Sequence, residues 1–177
     1  PLFYYRRHAN NLTNSNQRIL AARRRIKLDS VSELIKESRP IVAIIPSREK
    51  YDFVPNTWSL DLQGKSLLEK DIEKCIASKL FDYIVVTSDN ESVEALVNKY
   101  SDSRLSYFKR DPKYTIRSSP LVNTIEDIVS YYNFSESGII VLSYHQAQFV
   151  TTDTLEEAVT TLILNNADSS IGVEKMN

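Results

Sequence analysis

The run IVAII at 41–45 constrains this chain more than any other feature, because five apolar residues follow one another without a polar alternate. A strand with one wet face alternates. An unbroken apolar run belongs in a parallel sheet with helices over both faces. The rest of the sequence supplies such a sheet. YIVVT at 83–87 reads as a second buried strand, Leu105–Phe108 as a shorter one, IIVL at 139–142 (after Gly138) as a fourth and SSIGV at 169–173 as a last. Capped amphipathic segments lie between them. Ser66 and Glu69 form a capping box that opens a helix to about Lys79, with Leu68, Ile72, Cys75 and Ile76 on its apolar face. Asp89 or Asn90 caps a helix facing inward through Val93, Leu96, Val97 and Tyr100. Pro120, behind an N-cap Ser119, reads as a first-turn proline for a helix carrying Leu121, Ile125, Ile128, Val129 and Tyr132. Asp153 and Glu156 read as the capping pair of a helix with Leu155, Val159, Leu162 and Ile163. The order predicts a three-layer α/β/α sandwich on a mainly parallel sheet.

Charge divides the chain. Residues 1–40 hold nine Lys or Arg and three Asp or Glu, a balance of +6; residues 41–177 hold the remaining 13 and 20, a balance of −7. With Pro40 at the break, this predicts a helical tail over 1–39 and an α/β domain over 40–177. Within the tail, 16–28 reads as a basic helix and 30–38 as a second one, opened by a Ser30–Glu33 capping box. The chain starts at Pro1 rather than methionine, and so reads as a piece of something longer. The single cysteine, Cys75, has no internal partner, which points to a reducing, cytoplasmic setting. No apolar run is long enough to span a membrane as a helix.

In a doubly wound fold, ligands sit beyond the carboxyl ends of the strands. That selects segments 46–63, 87–90, 109–119 and 143–152. The first is a strand–loop–helix connection of the kind that holds nucleotide phosphates, yet no glycine lies between Pro46 and Gln63. Its cations are Arg48 and, at the helix start after Gly64, Lys65. Arg48 reads either as a triphosphate ligand or as a surface arginine paired with Glu49 or Asp52. Lys65 reads as a phosphate contact or a solvated lysine. Asp89 reads as a ribose or metal ligand or, more simply, as a helix cap. Lys109 and Arg110 read as exposed-loop cations or, less simply, as ligand contacts, and His145, placed after a strand where a catalytic base would belong, reads rather as a plain polar loop residue. Arg23–Arg25 form a solvated helix face, with no aromatic platform to suggest nucleic acid.

From Ile41 onward the sequence resembles the cytidylyltransferases that join CTP to sialic (acylneuraminic) acid and related acidic sugars. Their first strand leads into a pattern like IPARGGSKGIPGKNIKPLGGKPLL, and IPSREKYDFVPNTWSLDLQGKSLL matches it without a gap. Pro46, Arg48, Pro55, Leu62, Gly64, Lys65, Leu67 and Leu68 fall on family positions. SKLFDYIVVTSDNESVEALVNKY is similar to the second helix, strand and STD-type turn, Arg110 to an arginine ahead of the substrate loop, and TDTLEEAVTTLILNNADSSIGV to the fourth helix and fifth strand. The resemblance implies a nucleotide-diphospho-sugar transferase (Rossmann-like) fold, truncated at the C-terminus. It also implies a degenerate nucleotide site at Ser47, Arg48, Lys65, Asp89 and Arg110, with CTP and magnesium as cofactors if the domain is active.

The departures fall on the chemistry. Glu49 and Lys50 replace two glycines, Tyr51 a serine, Asp52 a lysine, and Thr57 and Trp58 a lysine–asparagine pair; Ser143 stands where the family reads the base with glutamine. The family's metal carboxylates have no counterpart before Asn177. PLFYYRRHANNLTNSN, through Arg6, Arg7, His8, Asn10 and Asn11, resembles the end of family-two glycosyltransferases. Together these imply a catalytically silent relative attached to an upstream glycosyltransferase domain in surface-polysaccharide synthesis. Its expected partners are a weakly held nucleotide or nucleotide sugar and a second copy of the chain, with no nucleic acid. The alternative is an active enzyme making a CMP-activated acidic sugar.

Overall fold

The computed structural model describes residues 16–35, 40–50, 54–116, 118–134 and 138–172. The RRHANN segment, Tyr51, Asp52 and Val173 lie outside them. Four strands, β1 (Ile41–Pro46), β2 (Tyr83–Ser88), β3 (Leu105–Lys109) and β4 (Ile139–Leu142), form one sheet in the order β3-β2-β1-β4. All three pairings are parallel, with Val42 opposite Tyr83, Ile84 opposite Leu105 and Ile41 opposite Ile139. The IVAII run therefore sits in an interior strand, and every residue from Ile41 to Pro46 is buried.

The period-2 geometry of β1 divides its side chains between two cores. Ile41, Ala43 and Ile45, with Ile84 and Val86, pack against α2 (Leu67–Ala77), α3 (Glu91–Val97) and α5 (Thr152–Leu164) through Leu68, Ile72, Cys75, Val93, Leu96, Leu155 and Val159. Val42, Ile44 and Val85 pack beneath α4 (Leu121–Tyr132) through Ile125, Ile128 and Tyr132. The three-layer sandwich is thus present. Each fully buried branched side chain contributes about 1.5–3 kcal/mol to it.

The helix ends show where local reading succeeds. Ser66 Oγ accepts the Glu69 N–H and the Glu69 carboxylate accepts the Ser66 N–H, so the predicted capping box forms. The helix stops at Ala77, because Ser78 turns to an extended backbone. Asn90, not Asp89, caps α3 by accepting the Ser92 N–H at 2.8 Å. Pro120 is itself the N-cap of α4 and gives no side-chain bond. The cap of α5 is Thr151, whose Oγ1 accepts the Thr154 N–H; Glu156 turns inward instead.

Two expectations fail. The tail forms one continuous helix, α1 (Asn16–Ile35), through Ser30. No glycine or proline interrupts it, and the buried Val31 anchors the second half. Residues 36–38 of the expected second helix lie outside the described set. Residues 169–172 form no strand. Asn166 takes a left-handed turn after α5, and Ile171, 80% exposed, leaves the segment with no apolar side chain to bury in a ladder.

α1 docks on α5 through charge. Arg24 pairs with Asp153 and with the buried Glu156, Lys27 pairs with Glu157, and Glu156 also accepts the Ser78 hydroxyl at 3.0 Å. Arg24 is thus not part of a solvated face, although Arg23 and Arg25 are exposed. Arg24→Ala leaves a buried carboxylate with only a hydroxyl, so a loss of about 1–3 kcal/mol in urea denaturation is expected. An unchanged midpoint would show that α1 docks by other means.

Candidate nucleotide site

The carboxyl ends of β1, β2 and β3 come together because the strands are parallel and in register, Pro46 lying opposite Thr87. The ladder runs one step further: the Ser47 N–H donates to the Thr87 carbonyl at 2.8 Å, and the Arg110 N–H to the Ser88 carbonyl at 2.8 Å. Ser47, Arg48, Asp89 and Arg110 therefore stand at the same carboxyl edge of the sheet, as the ladder and the chain path place them. Lys65 does not share those contacts, since its ammonium is bound by both Glu73 carboxylate oxygens at 2.6 and 2.7 Å. Arg110, expected to be exposed, is 6% exposed, and Ser47 is buried.

The loop after β1 closes on the turn after β2. The Glu49 N–H donates to Asp89 Oδ1 at 2.9 Å, and the Asn56 N–H to the Glu49 carbonyl at 2.7 Å. Asn56 takes the left-handed conformation, φ 51°, that a glycine would ordinarily supply. Its Oδ1 accepts from Trp58 Nε1 at 3.3 Å and from Asn90 Nδ2 at 3.4 Å. Trp58 itself packs on the main core. The described ends of the glycine-free loop are thus tied down by Asp89 and Asn56. Asn56 is not among the residues singled out from the sequence.

Beyond β4 lies a buried polar cluster. Ser143 Oγ donates to Asp71 Oδ1 at 2.9 Å, and Lys74 pairs with the same carboxylate. His145, expected in a polar loop, is fully buried and hydrogen-bonded to the Pro46 backbone. Burial pulls its pKa down to about 4, against the opposing pull of Asp71, while Lys74 adds to the fall. Burial, and then Asp71, push the Cys75 thiol up to about 12, so this cysteine is inert. Gln148 Nε2 donates to the Leu67 carbonyl at 3.2 Å and to the His145 carbonyl, which stitches the turn after β4 to the start of α2. Asp71 could have been found from its spacing, since positions 68, 71 and 75 share a helical face. Ser143 is 2% exposed and turned toward α2.

Acidic groups gather around Tyr107. The Tyr107 hydroxyl donates to the Ser88 carbonyl at 2.8 Å, and its pKa rises to about 12 through burial and then Glu94, Asp89 and Glu91. Magnesium takes oxygen ligands, usually one or two carboxylates completed by water and phosphate. Among the described residues no three His, Cys, Asp or Glu side chains group as a metal site, and Asp89 already spends one oxygen on the loop.

A parallel α/β sheet with its ligand mouth at the strand ends, and a strand–loop–helix connection at its centre, has the architecture of a nucleotidyltransferase. The sequence matches the family described as Cytidylyltransferase over residues 42–176, and the chain belongs to that family. It is 27% identical over 130 residues to the pseudaminic acid cytidylyltransferase of Campylobacter jejuni subsp. jejuni serotype O:2, which covers 71% of this chain and 54% of that protein. It is 37% identical over 60 residues to the 3-deoxy-manno-octulosonate cytidylyltransferase of Christiangramia forsetii, 33% of this chain and 24% of the relative. Among solved structures it resembles a CMP:2-keto-3-deoxy-manno-octonic acid synthetase complexed with CTP, at a TM-score of 0.58 and 16% identity over 72% of this chain and 49% of that one. A cytidylyltransferase from Leptospira borgpetersenii gives a TM-score of 0.58 and 19% identity over 72% and 50%. The chain spans about half the length of the pseudaminic acid relative.

Proposed function

We propose that this domain is a catalytically silent cytidylyltransferase relative that holds nucleotide weakly and serves an attached glycosyltransferase of surface-polysaccharide synthesis, in the cytoplasm, by docking or positioning it. The observation that carries the reading is the loop after β1. Where a phosphate-wrapping loop offers free backbone N–H groups, the Glu49 N–H is already bonded to a carboxylate, and Trp58 is committed to the core. Thr57 stands at a family cation position with its hydroxyl donated to the Val54 carbonyl at 2.7 Å. Ser143, at the base-reading position, is bound to Asp71. Positioned cations usually contribute more than any other group to the rate of phosphoryl-type transfer, and each charge-assisted hydrogen bond lost costs about 1.5–3 kcal/mol. Several such losses bring nucleotide dissociation constants to about 1 mM or weaker. No described helix is long and apolar enough to cross a membrane.

The expected outcome is pyrophosphate release from CTP at background when the chain is offered sialic, pseudaminic and octulosonic acids with magnesium. Turnover above a heat-killed control, lost in Arg48→Ala, would sink the silent reading. It would favour the second reading, an active enzyme making a CMP-activated acidic sugar, whose support is that Ser47, Arg48, Asp89 and Arg110 stand at one carboxyl edge of the sheet. A second copy of the chain is a further candidate partner; light scattering across concentration tests it.

A further inference from the structure

We propose that Asp89 is a built-in occupant of the anion position on the loop after β1, so that it decides which ligands the mouth accepts. The inference rests on the reading of the mouth as a nucleotide site, and it names what regulates entry.

Strand register creates the contact. Pro46 and Thr87 are paired, the Ser47 N–H takes the Thr87 carbonyl, and the next described loop donor in that direction, the Glu49 N–H, meets Asp89 Oδ1 at 2.9 Å. A backbone N–H at the end of a central parallel strand is the kind of donor that receives a phosphate oxygen. A carboxylate oxygen at that distance makes the same charge-assisted bond. Asp89 is free to make it because Asn90 has taken over the capping of α3. The neighbouring turn holds the loop a second time, since Asn56 fixes the Glu49 carbonyl and accepts from Asn90. Glu91 and Glu94 act with Asp89 on Tyr107, while Arg48 and Arg110 bring positive charge to the same edge, so the occupied donor and not the net field is what an incoming polyphosphate has to overcome. Asp89 thereby discriminates against polyanions and in favour of ligands carrying less negative charge.

The test is calorimetric titration of the full chain and its Asp89→Ala, Asp89→Asn and Glu91→Gln variants with magnesium CTP and, separately, with inorganic tripolyphosphate. Thermal unfolding confirms that each variant is folded. Asp89→Ala frees the donor and removes the charge, and about a tenfold tighter tripolyphosphate affinity is expected. Asp89→Asn keeps an acceptor without the charge and is expected to gain about threefold. Glu91→Gln alters the field but not the Glu49 contact, and less than a twofold change is expected. A gain for tripolyphosphate without one for CTP leaves the internal occupant standing and removes the cytidine reading. No gain for tripolyphosphate in Asp89→Ala, or an equal gain in Glu91→Gln, overturns the inference whatever CTP does.

Discussion

Lowering the pH from about 7.5 to about 4.5 is expected to remove roughly 2–3 kcal/mol of folding stability from the wild-type chain that a His145→Gln variant does not lose. His145 is fully buried, and its folded pKa is about 4 against an ordinary value of 6.5. Between those values the unfolded chain binds a proton that the folded chain refuses, so stability rises with pH across this window and is lost as pH falls through it. Below about pH 4 both states are protonated and the dependence levels off. The neighbouring charges do not rescue the imidazolium, because Asp71 attracts it while Lys74, paired to Asp71, repels it. Urea denaturation at half-unit pH steps reads the effect as the difference in slope between wild type and variant. Equal slopes would show that His145 reaches solvent or finds an acceptor when charged.

Arg104→Met is expected to cost about 2–4 kcal/mol, measured as a urea midpoint shift, with Arg104→Lys recovering less than half. α2 ends without a left-handed glycine cap, so its last carbonyls need other donors. Arg104 provides them. Its Nη2 donates to Ile76 O at 2.8 Å, its Nη1 to Ser78 O at 2.7 Å, and its Nε and Nη2 grip Asp102 at 3.0 and 2.8 Å. The planar fork serves the carbonyls and the carboxylate together, and places a cation at the negative end of the helix. The hydrogen bonds to Asp102 raise the Arg104 pKa and lower that of Asp102. A loss below about 0.5 kcal/mol would mean that water caps α2 equally well.

What could be read in the sequence was what is local or periodic. The apolar runs of β1, β2, β3 and β4 and the Ser66–Glu69 box are short-range signals, and the structure contains them. SSIGV had the composition of a strand, but over residues 169–172 Ile171 stays exposed and no ladder forms. Asp153–Glu156 imitated a capping pair while Glu156 served a contact 132 positions away with Arg24. The site divided the same way. Ser47, Arg48, Asp89 and Arg110 were selected as candidates because they follow strand ends, and the parallel register does bring those ends to one edge of the sheet. The burial of His145 and Arg110, the Asp71–Ser143 bond and the role of Asn56 depend on which loops lie over which, and that is tertiary information.

The order β3-β2-β1-β4 also has a consequence for the chain as it is made. β1 meets β2 at Val42–Tyr83, 41 positions on, and β4 at Ile41–Ile139, 98 positions on. Closing the longer loop costs only about 0.8 kcal/mol more, so entropy barely separates the two events. Translation separates them. From Ser88 to Leu142 is 54 residues, and a ribosome adding about 5–20 per second needs roughly 3–11 s to cover them. For that interval the most apolar strand of the protein waits with one edge bare, a template for any other extended chain nearby. The nascent polypeptide, more than the finished domain, is where this sequence is exposed to misassembly.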